Sequence, residues 1–89
     1  MRTIWKYSVK TPGETTISLP QGFEVLTAQF QNDIMHLWIK LDPESLKVKA
    51  TFKVVSTGGE VSIMDKYIAT AQLGWTVWHV FQTKTAGER

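Results

Sequence analysis

The chain has 89 residues and a net charge of +2. That is the size of one domain, and it is too weakly basic to coat a nucleic-acid duplex. It has no cysteine, so neither a disulfide nor a thiolate metal site can support so small a core, and self-association is the expected aid. The only arginines are Arg2 and Arg89, at the two ends, so a bidentate guanidinium clamp on phosphate is not expected within one chain.

Alternation with period 2 dominates the chain. Thr3 to Val9 reads as a first strand, with Trp5, Tyr7 and Val9 on one face and Ile4, Lys6 and Ser8 on the other. A turn over 11–14 follows, carried by Pro12 and Gly13. Thr15 to Leu19 is a short second strand, stopped by Pro20 and Gly22. Phe23 to Gln31 and Ile34 to Leu41 form a hairpin around Asn32-Asp33, two residues that tolerate the left-handed region. In its second arm Met35, Leu37, Ile39 and Leu41 share the core face, opposite His36, Trp38 and Lys40.

Asp42 and Pro43 open a loop or single helical turn over 42–46. Lys47 to Val55 is a fifth strand, with Val48, Ala50, Phe52 and Val54 inward and Lys49, Thr51 and Lys53 outward. A glycine-rich turn spans 56–60, and 61–65 has no clear period. Tyr67 to Leu73 and Trp75 to Thr83 are the sixth and seventh strands, joined around Gly74. Residues 85–89 read as a disordered tail, so the expected domain is 1–84. The fold class is all-β: about seven short antiparallel strands in a small sandwich or barrel, with neighbours in the chain pairing as hairpins.

Few residues announce chemistry. The seventh strand alternates Trp75, Val77, His79 and Phe81 against Thr76, Trp78, Val80 and Gln82, and neither set is simply apolar. Which of the two is buried stays open at this level. An indole flanked by a donor and a cation, as in His36, Trp38 and Lys40, suits base stacking and phosphate contact, and equally suits a subunit seam. Gln29 and Gln31 add amides able to read a base edge. Thr57, Gly58 and Gly59 form the one phosphate-friendly loop, although a Gly-Gly turn also serves geometry alone. Lys53 lies nearby in sequence. No catalytic motif and no metal-ligand spacing is present around the two histidines, so neither catalysis nor a metal or cofactor is expected.

Across residues 4 to 81, the segments IWKY, ISLPQGFEVLTAQFQ, LWIKLD, VVSTGG, YIAT and VWHVF resemble a family of small, mostly uncharacterised bacteriophage proteins. The chain departs from that pattern at Ala69, where the family has glycine, and in FEVL. The resemblance implies a phage protein acting in the infected cell's cytoplasm, without a known reaction. By analogy of context, it suggests a homo-oligomeric anti-defence sponge that sequesters a cyclic oligonucleotide or cyclic ADP-ribose signal. The ligand-binding candidates are Gln29, Gln31, His36, Trp38, Lys40, Lys53, Thr57, Gly58, Gly59, Trp78 and His79. Two alternatives use the same aromatics: a module that occupies a host protein, and a single-stranded nucleic-acid binder. The chain has neither a run apolar enough to span a membrane nor a leader-like start, so a soluble cytoplasmic protein is expected.

Overall fold

In the computed structural model, residues 1–86 are described, and the chain folds as two packed antiparallel sheets. The strands are β1 (Thr3–Val9), β2 (Gly13–Pro20), β3 (Glu24–Gln31), β4 (Ile34–Leu41), β5 (Lys47–Ser56), β6 (Lys66–Leu73) and β7 (Thr76–Ala86). β7 thus runs through Thr85 and Ala86, the start of the expected tail, and residues 87–89 lie outside the described residues. One sheet has the order β1-β4-β3 and the other β2-β5-β7-β6. The molecule measures 40 × 28 × 15 Å, and the short axis is that of two stacked sheets. Among the described residues no helix is long and apolar enough to cross a membrane.

Each sheet buries one set of alternating side chains. Met35, Leu37, Ile39 and Leu41 from β4 meet Ala50, Phe52 and Val54 from β5 and Val80 from β7, all essentially inaccessible to solvent. Phe23 packs edge-on against Phe52 with ring centroids 6.3 Å apart. This settles the seventh strand: Trp78 lies with Val80 on the side packed against the core, so His79 and Phe81 face outward.

Pairing between chain neighbours holds for only two hairpins. β3–β4 turns through Asn32 and Asp33, both at positive φ (51° and 65°), and β6–β7 turns at Gly74. Elsewhere β1 pairs with β4, β2 with β5, and β5 with β7. The reason is burial: the connections after β1, β2 and β4 carry the chain from one sheet to the other, so that each sheet's apolar face has a partner. Asp42 caps the β4–β5 turn as expected, its carboxylate accepting the Glu44 N–H at 3.0 Å.

Tyr7 faces inward from β1, and burial holds its hydroxyl above the ordinary value of 10.0. The unfolded chain therefore loses this proton at a lower pH than the folded one does. Stability is unaffected by Tyr7 below pH 10.0 and falls as pH rises through the folded value. Alkaline melting curves of Tyr7→Phe are expected to lack this part of the decline.

Candidate functional site

Because β4 commits its odd-numbered residues to the core, its even-numbered residues, Ile34, His36, Trp38 and Lys40, form the middle row of the outer face. β1 sets Ile4 beside Lys40, Lys6 beside Trp38 and Ser8 beside His36. β3 sets Glu24 opposite Lys40, Thr27 opposite Trp38, Gln29 opposite His36 and Gln31 opposite Ile34. Trp38 therefore stands at the centre of a face three strands wide. A register shift between Val25 and Thr27 marks a bulge, whose extra residue, Leu26, is exposed beside Trp38.

The polar groups around Trp38 have distinct partners. Lys6 Nζ lies 6.0 Å from the indole centroid and donates to Gln31 Oε1 at 2.7 Å, a link that crosses β4 from one edge strand to the other. The His36 ring lies 6.0 Å from the indole at 56°. His36 Nδ1 is 2.9 Å from the Ile34 carbonyl. A carbonyl only accepts, so Nδ1 carries the proton and Nε2 is the acceptor in the neutral ring. Lys40 Nζ is 3.3 Å from Glu24 Oε1, so its charge is matched on the spot. Ile4, Leu26, Thr27, Gln29 and Trp38 line a depression of about 300 Å³. The arrangement offers a flat aromatic, a cation close to its ring and amide and imidazole groups at its margin.

The remaining candidates sit on the opposite side of the molecule. β5 and β6 both pair with β7, so the segment 57–65 that joins them must pass β7, and it does so as a strap on the outer face. His79 pins the strap: its Nε2 is 2.8 Å from Thr57 Oγ1 and its Nδ1 is 3.0 Å from Thr70 Oγ1. Thr70 Oγ1 in turn lies 2.8 Å from the Tyr67 hydroxyl. Lys53 reaches the Asp65 carboxylate at 3.9 Å. Gly58 sits at φ 94°, and a Cβ on Gly59 would come within 3.0 Å of the Ser56 carbonyl, which accepts the Gly59 N–H at 2.9 Å. Gly58 is favoured by its positive φ and a Cβ at Gly59 would press on the Ser56 carbonyl, while Thr57 is engaged by His79 and the Gly59 N–H by the turn itself.

The structure therefore gathers Gln29, Gln31, His36, Trp38 and Lys40 on one face. It places Lys53, Thr57, Gly58, Gly59 and His79 on the other. Trp78 belongs to neither: it packs against the core and its indole N–H donates to Thr76 Oγ1 at 3.0 Å. Trp75 stands fully exposed in the β6–β7 turn. Sequence reading missed Lys6, Ile4, Leu26 and Thr27. The alternation of β1 already separated Ile4 and Lys6 from Trp5 and Tyr7. What it lacked was the distant pairing with β4 that brings them to Trp38. Replacing His79 with leucine is expected to loosen the strap, raising hydrogen exchange at the Gly59 and Asp65 amides about tenfold, with the Trp38 face unchanged.

Among the described residues no cluster of three or more histidine and carboxylate side chains is placed to hold a metal ion. No curated protein and no solved structure matches the chain. A family model does match, over residues 1–89, and by that match the chain belongs to the family described as domain of unknown function DUF7352.

Proposed function

We propose that the protein is a non-enzymatic binding protein that holds a nucleotide by stacking its base on Trp38. The observation that carries this reading is the position of Trp38: central on its face, with the Lys6 ammonium 6.0 Å from its ring and an apolar depression beside it. Its volume of about 300 Å³ is at the small end of ligand sites, the scale of one base with its sugar. Stacking on an aromatic is tolerant of base identity and is worth about 1–3 kcal/mol per base. Lys6 has an amide as its partner whereas Lys40 has a carboxylate, so Lys6 is the cation that can turn to a phosphate. Gln29 and the bare Nε2 of His36 supply polar contacts at the base edge. In a phage setting, such a protein would sequester a cyclic nucleotide immune signal.

The test is a thermal-shift panel of cyclic di- and trinucleotides and cyclic ADP-ribose isomers, with the ligand recovered after heating. A bound ligand in large excess over its Kd stabilises the folded state by about 3 kcal/mol, a rise of roughly 12–24 °C in a domain this size. Recovery of unaltered ligand supports sequestration. A flat panel sinks the proposal. One observation favours a second reading, a host-protein interface: Ile4, Leu26 and Ile34 are all about half exposed around Trp38. An aromatic anchor ringed by aliphatic groups is also the make-up of a protein-docking patch. A stoichiometric host protein retained by the wild type and lost with Trp38→Ala would select it.

A further inference from the structure

A two-sheet sandwich has four edge strands, and here they are not equally guarded. On one side β3 packs against β6, and each carries a bulge, between Val25 and Thr27 in β3 and between Tyr67 and Ala69 in β6. Bulges interrupt the regular ladder that a foreign strand would need. On the other side lie β1 and β2. β1 carries Lys6 at its midpoint, so antiparallel pairing with its own copy about that point would set two ammonium groups together. β2 carries none of these devices. It pairs with β5 in unbroken register from Gly13–Val54 to Pro20–Lys47, has no lysine or arginine, and bears its single charge, Glu14, near one end.

The margin beside β2 is also under-covered. Trp5 belongs to the inward-facing set of β1 yet is 42% exposed, at the side of the sandwich that β3 and β6 do not close. Ile17, at the middle of β2, is only partly buried. A long, regular edge with a single charge near one end, beside exposed apolar side chains, is a template for strand addition.

We infer that β2 is a self-association edge and that its occupant is β2 of a second copy, paired antiparallel about a twofold axis at Ile17. The edge is complementary to itself. Ile17 meets its own copy, Thr16 meets Ser18, Thr15 meets Leu19, and no like charges are opposed. The product is one continuous eight-stranded sheet, with Trp5 of each copy brought toward the joint. An interface of this kind is isologous and closes at two copies. It would also supply the support that a domain of 89 residues without a disulfide lacks. The edge lies at the side of the sandwich and the Trp38 face on its outer surface, so self-association and nucleotide binding are read independently.

The experiment is sedimentation velocity of the full chain over about 1–200 µM, with hydrogen exchange at both extremes. The expected result is a monomer–dimer equilibrium in which protection of the β2 amides rises with concentration. Ile17→Lys and Ile17→Glu, both checked for fold by circular dichroism, are each expected to be monomeric. Mixed one to one they are expected to dimerise, because the twofold sets residue 17 opposite itself. A wild type that is monomeric throughout overturns the inference. So does a dimer whose β2 amides gain no protection, an outcome that stands even if the charged variants fail to fold.

Discussion

Replacing Phe52 by alanine is expected to lower the urea unfolding midpoint sharply. The ring is fully buried, it meets Phe23 edge-on at 6.3 Å, and it lies between the inner faces of both sheets. Removing such a ring costs about 3–5 kcal/mol, transfer and cavity together. A chain of this length has roughly 4–13 kcal/mol of total stability, so one side chain carries a large share of it. Urea unfolding followed by circular dichroism gives the comparison. The same measurement on Ile63→Ser should show almost no change. Ile63 is 98% exposed at the tip of a turn whose hydrogen bonds come from Ser62 and Asp65, with the Asp65 carboxylate accepting the Ser62 N–H at 2.8 Å. An apolar side chain in the core and one at the tip of a turn thus have opposite structural weight.

The second large effect separates two tryptophans. Trp38→Ala is expected to melt within a few degrees of the wild type, because the indole stands on an outer face above a row of buried residues it does not help to seal. Its loss should weaken nucleotide binding by roughly 5–150-fold, the worth of one stacked base. Trp78→Ala is expected to do the reverse. That indole packs against the core, and its N–H is bonded to Thr76. Its loss should cost about 3 kcal/mol of stability, while the protein that remains folded keeps its affinity. Paired melting curves and ligand titrations on the two variants decide the matter. If Trp38→Ala leaves binding intact, the stacking role is gone. If Trp78→Ala leaves stability intact, its assignment to the core side is wrong.

The difference between these tryptophans also marks how far the sequence could be read. In β4, Met35, Leu37, Ile39 and Leu41 are uniformly apolar, so the outward position of His36, Trp38 and Lys40 followed from period alone. The Asn32-Asp33 hairpin was legible for the same local reason, and it brought Gln29 and Gln31 to the same face. In β7 both alternating sets hold an aromatic, and period cannot rank them. Only the pairing of β7 between β5 and β6 decides that Val80 and Trp78 go inside. The neighbours of Trp38 from β1 were hidden by distance along the chain. Lys6 and Lys40 looked alike as candidate cations until Glu24 proved to stand opposite Lys40 and Gln31 within reach of Lys6. The Thr57–Gly59 loop had a composition suited to phosphate, yet its groups are engaged by His79 and by the turn itself.

The place of β7 in its sheet has a consequence for how the protein is made. β7 is the last described strand to leave the ribosome, yet it lies between β5 and β6, and neither of those pairs with the other. Until it emerges, the four-stranded sheet exists only as β2 with β5, and β6 has no hydrogen-bonded neighbour. The three-stranded sheet, by contrast, is complete in sequence by Leu41. Synthesis therefore exposes the apolar face of a finished half-sandwich before its covering layer can close. Closure of the four-stranded sheet is thereby deferred until β7 has emerged, and a chain cut before Thr76 leaves β6 without a strand to pair with.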